Sequence, residues 1–122
     1  MQQFKSAILG LALGSSVSFA GDCVQPESPV MPDGANSSME DMLNGQKSVK
    51  TFQTANLEYM GCLEKEFTAA EAATLEGSDE EQAAAKATYD KSVDAYNSAV
   101  SKEEEVAGQF NTEIREFKAA NP

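Results

Sequence analysis

Two stretches of seven-residue apolar recurrence, parted by a glycine–serine step, constrain this chain more than any other feature. In residues 79–119, Val93, Val100, Ala107 and Ile114 recur every seven residues, with Tyr89, Tyr96, Glu103, Phe110 and Phe117 as a second column. An a/d seam held for about four heptads marks a helix packed lengthwise on another helix. Residues 38–76 carry the same period less regularly. Met42, Val49, Asn56, Leu63 and Ala70 form one column, Gly45, Phe52, Tyr59 and Glu66 the next, and Gln46, Gln53, Met60 and Phe67 a third. Leu43 and Leu57 widen the apolar arc, so this helix is expected to touch more than one neighbour. Period-two alternation is absent throughout, which leaves an all-α reading.

The ends of both helices are written in the sequence. Gly77 suits the residue after a helix, where a positive φ is needed, and Ser78 suits an N-cap. Ser78 with Glu81 makes a capping box, and Asp79, Glu80 and Glu81 sit at the positive end of a helix dipole. The first helix can open in the same way from Ser37 with Glu40 or from Ser38 with Asp41. So short a connection (77–78) predicts a long antiparallel two-helix hairpin of coiled-coil type. With equal rise along both helices, residues whose numbers sum to about 155 then face each other. Gly45 would admit the Phe110 ring, and Asn56 would lie near Val100. The polar seam residues Asn56, Glu66 and Glu103 are expected to reach solvent at the edge of so thin a structure.

Residues 21–37 cannot join either helix, because proline, glycine, asparagine and aspartate crowd them. Pro26, Pro29 and Pro32 are three apart, the period of a polyproline II strand, so their rings share one edge. Cys23 and Cys62 are the only cysteines of the chain. In an oxidising compartment they are expected to pair within the chain; an intermolecular bridge is the alternative. Closing a loop within the chain is entropically easy, which favours the first. Length then favours a docked strand over a disordered tail tethered by its cysteine. A polyproline strand from Cys23 to Asn36 covers about 40 Å at 3.1 Å per residue. The helix from Ser38 to Cys62 covers about 36 Å at 1.5 Å per residue. The strand can therefore fold back at Asp33–Gly34 and lay Cys23 beside Cys62. Phe52 and Tyr59 offer the aromatic surface on which Pro26, Pro29 and Pro32 are expected to dock. The small-residue column Ser48, Ala55, Cys62 and Ala69 lets the strand come close.

The oxidising compartment is inferred from residues 1–20. Lys5 precedes a short apolar run that ends at Ser18-Phe19-Ala20, with small residues at −3 and −1, as in a cleavable secretory signal. The run is too short to span a bilayer. Secretion, into the bacterial periplasm, is the expected address, with no integral membrane segment after cleavage. Lys5 is the only charge in that leader, so the remainder holds twenty acids against eight bases, a net charge of −12.

That charge excludes a basic nucleic-acid-binding surface. The absence of histidine removes the commonest general base and metal ligand, and with it Ser–His–Asp, Cys–His and His-based zinc chemistry. The acidic runs Asp79–Glu81 and Glu103–Glu105 match no calcium loop, and consecutive helical residues splay apart. No enzyme, cofactor or metal is expected. Two function classes remain. The first is a binding or adaptor protein of the envelope whose acidic helical surface takes a basic protein or peptide. The second is a self-associating structural module, two hairpins completing a four-helix bundle. Leu43 and Leu57, the candidate partner face, separate the classes: covered by the N-terminal segment they suit a monomer, exposed they favour self-association.

Overall fold

The computed structural model describes residues Cys23–Pro122. The expected signal segment, residues 1–20, lies outside the described residues. Two helices dominate the fold: α1 (Met39–Ala73) and α2 (Asp79–Ala120), preceded by one 3₁₀ turn at Gly34–Asn36. The described residues contain no strand.

Of the two boxes available to α1, Ser38 with Asp41 forms. The Ser38 hydroxyl accepts from the Asp41 N–H at 3.1 Å, and the Asp41 carboxylate accepts from the Ser38 N–H at 3.0 Å. The Ser38 N–H foremost, and the Ser38 hydroxyl after it, hold the Asp41 carboxyl below its ordinary range. At the far end, α1 stops three residues short of Glu76. The N–H groups of Leu75 and Glu76 bond three residues back, to Ala72 and Ala73, and the Thr74 hydroxyl takes the Glu71 carbonyl at 2.6 Å. Bonds of this tighter type close a helix and spend its last carbonyls. Gly77 then adopts φ +86°, where a β-carbon would be strained, and Ser78 caps α2 through the Glu81 N–H.

The helices pack as a helical hairpin. Phe67 meets Tyr89 and Tyr96 edge-on, Glu66 meets Ser92, Asn56 meets Ala99 and Glu103, and Gly45 meets Phe110. Partner numbers on α2 rise as those on α1 fall. Met42, Val49, Phe52, Val106 and Phe110 form the core cluster, with Met31, Ile114 and Phe117 packed on it.

Two expectations are corrected here. The column of α2 that buries itself is Ser92, Ala99 and Val106, one residue earlier than Val93, Val100 and Ala107, which are half-buried. Small side chains at Ser92 and Ala99 bring the backbones close enough for the Asn56 amide to reach the Ala99 carbonyl at 3.0 Å. The expected column of Val93, Val100 and Ala107 thus marks the edge of the seam, while Phe110 of the second expected column is buried in it with Val106. The second correction concerns the polar seam residues. Asn56 is 2% exposed and Glu66 8%. Asn56 is satisfied by Ala99 and by the Glu103 carboxylate at 3.1 Å. Glu66 is satisfied only in part: Oε2 accepts from the Ser92 hydroxyl at 3.2 Å, while Oε1 is buried without a partner. Asn56 and Glu66 both lie against α2, whose Ala99, Glu103 and Ser92 supply their partners.

Candidate functional site

Three features of the described residues bear on function. The first is the stapled N-terminal segment. Cys23 and Cys62 form a disulfide with their Cα atoms 5.5 Å apart. Between Cys23 and Pro32 every third residue turns inward: Cys23, Pro26, Pro29 and Pro32 are half-buried, while Val24 and Val30 are 77% and 88% exposed. That is the periodicity of a three-residue helix with one edge against a support. Pro32 reaches α1 at Gly45, where a β-carbon would lie 2.8 Å from Pro32 Cγ and Cδ and 3.3 Å from the Phe110 ring. The gap at Gly45 therefore holds a proline ring as well as the phenylalanine expected there. Of the two aromatic residues expected to support the prolines, Phe52 is buried and Tyr59 half-buried.

The segment does not lie on α1 alone. Its 3₁₀ turn lies against α2. The Gly34 N–H donates to the Glu113 carboxylate at 2.8 Å, and a β-carbon on Gly34 would overlap the Glu113 carbonyl. This contact went unforeseen, because nothing in the run Pro32-Asp33-Gly34 names a partner 79 residues away.

The same contact gathers charge. The carboxylate oxygens of Asp33, Glu113 and Glu116 lie within 4.8 Å of one another. Asp33 is relieved by the Asn36 side-chain amide at 2.7 Å, and Glu113 by Gly34. Glu116 is not relieved: repulsion from Glu113, then a hydrogen bond shared with it, then burial and the charge of Asp33, hold its carboxyl above the ordinary range. Repulsion across this joint is thus present at neutral pH and fades as pH falls through the raised value. An acid raised in the fold contributes stability when protonated and loses it as pH rises. Glu116→Gln should therefore melt higher than the parent at pH 7 and together with it near pH 4. A thermal melt series across that range checks it; a constant difference at every pH would contradict it.

The acidic runs noted in the sequence do not converge on a point. Asp79, Glu80 and Glu81 form the first turn of α2. Glu103 accepts from Asn56, while Glu105 pairs with Lys102 at 3.5 Å. Phe67, the third-column aromatic, joins Tyr89 and Tyr96 in edge contacts with ring centres 6.2 and 5.7 Å apart.

The remaining surface is apolar. Leu43 is 56% exposed and Leu57 64%, so the N-terminal segment does not cover them. Helical geometry explains why. Cys62 precedes its core-column neighbour Leu63 by one residue, whereas Leu43 and Leu57 follow Met42 and Asn56 by one. At 100° per residue the two sets lie on opposite flanks of the seam. At the open end of the hairpin, Met39, Leu43, Phe110, Ile114 and Phe117 line a shallow groove closed by Lys118 and Asn121. No family model, curated protein or solved structure matches the chain.

Proposed function

We propose that this chain is a non-enzymatic binding or adaptor protein of the secreted, periplasmic space, which presents an acidic helical surface to a basic protein or peptide. The carrying observation is the state of its carboxylates. The described residues contain two ion pairs, Lys86–Asp90 and Lys102–Glu105, both within α2. A few further acids cap helices or join the seam. Most of the other acids among the described residues are exposed, and such a field attracts cationic partners at a rate set by ionic strength.

The address rests on compatible observations. A disulfide is kept in oxidising compartments, and among the described residues no helix is long and apolar enough to cross a membrane. The scaffold behind this reading is an antiparallel, coiled-coil-like hairpin with the proline edge of residues 26–32 docked over Phe52 and Tyr59. The opposed order of contacts along α1 and α2 and the inward turn of every third residue support it.

The test is capture from envelope extract on the immobilised, disulfide-intact protein, followed by titration of the purified captured partner. The expected partner carries net positive charge, and its affinity falls steeply between low and physiological salt. A neutral or acidic partner, or binding indifferent to salt, would overturn the reading.

The exposure of Leu43 and Leu57 favours a second reading, a self-associating module in which two hairpins complete a four-helix bundle. Large exposed apolar residues set on one flank mark an interaction surface more often than chance.

A further inference from the structure

The hairpin has two broad faces, and only one is covered. The covered face carries the disulfide at Cys62, Pro32 over Gly45 and the 3₁₀ turn against Glu113. On the other, α1 presents Leu43, Lys50, Leu57 and Glu64, each one residue past the core column. On α2, Val93, Val100, Ala107 and Ile114 are likewise one residue past Ser92, Ala99, Val106 and Glu113. Two facing helices of opposite direction turn these positions to the same side, and the open-end groove joins them directly, with Leu43 and Ile114 in one lining. The column that looked like the seam in the sequence is therefore the half-buried α2 side of a mixed face, on the flank the proline segment does not reach.

We infer that this face is the interface of a homodimer, in which a second copy packs face to face about a two-fold axis running past Leu57 and Val100. The inference rests on the self-association reading and supplies its geometry. Charge complementarity selects the axis. Lys50 and Glu64 stand seven residues either side of Leu57, so an antiparallel pairing of α1 with its copy centred there sets each Lys50 opposite Glu64 of the other copy. Centring on Lys50 instead would set lysine against lysine. On α2, Val93 and Ala107 stand seven residues either side of Val100, so the same operation sets valine on alanine and Val100 on itself. The two centres need to lie at one height for a single axis to serve both. They do, because Asn56 beside Leu57 bonds the Ala99 carbonyl beside Val100. An isologous interface requires a self-complementary patch of this kind. Packing two such layers gives the four-helix arrangement, with the proline segments on the outside of the bundle.

Sedimentation equilibrium of the full secreted chain, from low micromolar to several hundred micromolar, tests this. The parent protein should be a dimer in the upper range. Leu57→Glu, on the surface of the hairpin, should make it a monomer with unchanged circular dichroism. Lys50→Glu should weaken the dimer by roughly tenfold or more, and Lys50→Glu combined with Glu64→Lys should restore it. A monomer throughout the range would overturn the dimer and leave the capture of a basic partner standing on its own. Were that partner lost in Leu57→Glu of a monomeric parent, the face would belong to a heterologous interface, which also overturns the inference. A dimer indifferent to Leu57→Glu, or a charge swap without rescue, would overturn the proposed face and its axis.

Discussion

Replacing both cysteines, as C23S/C62S, is expected to lower the stability of the hairpin by about 3 kcal/mol while keeping nearly all of its helix. The disulfide closes a loop with a sequence separation of 39 residues, worth roughly 3–4 kcal/mol by unfolded-chain entropy and less where the reduced chain keeps structure. A melting temperature lower on the order of 10–20 °C would follow for a domain of this size. That is a large share of the total in a molecule with few fully buried apolar side chains. The local effect is equally specific. Pro26, Pro29 and Pro32 are only half-buried, too little to hold an extended segment unaided. Without the staple, residues 23–33 should become open to protease and lose whatever amide protection they had. Chemical denaturation and limited proteolysis read the two effects separately. Unchanged protection of residues 23–36 in C23S/C62S would show that the bond is incidental to docking.

Gly34→Ala should produce the complementary result: an intact disulfide with the turn displaced. A β-carbon there collides with the backbone carbonyl of Glu113 and comes within 3.0 Å of the Phe117 N. Helical backbone cannot yield as a long side chain can, so the 3₁₀ turn must lift away. It then gives up the Gly34 N–H bond to Glu113 and the burial of Met31 against the core. Losses of this kind are each about 1–3 kcal/mol. Hydrogen exchange should rise at residues 34–36 and leave the centre of α1 unaltered. Retained protection of the turn in this variant would contradict the contact. The pair of variants separates a segment held at both ends from one merely tethered by its cysteine.

Much of this architecture was legible in the residues. Gly77, Ser78 and Glu81 announce a helix stop and start, because an αL residue and a side-chain acceptor are local needs met by local chemistry. The pairing of Cys23 with Cys62 followed from their being the only two cysteines of a chain expected to be secreted, and the matching lengths of strand and helix made it geometrically easy. Val93, Val100, Ala107 and Ile114 misled for an equally physical reason. Periodicity reports which residues avoid water, and the half-buried edge of a seam follows the same period as its centre. Only the close approach at Ser92 and Ala99, governed by the size of both partners, distinguishes the two. The Asp33–Glu113–Glu116 cluster left still less signal, since acids separated so widely in sequence meet only once the proline segment has chosen its path.

The sequence by itself determined two long helices, their ends, the hairpin and the staple, since each depends on spacing, capping or chain length within one segment. The tertiary structure alone decided which flank of the seam the proline segment covers and which it leaves bare. That choice depends on Gly45 receiving Pro32 and on Gly34 meeting the backbone of α2. Both are fits between distant segments, which no property of either segment encodes. With one flank taken, Leu43 and Leu57 remain exposed on the other.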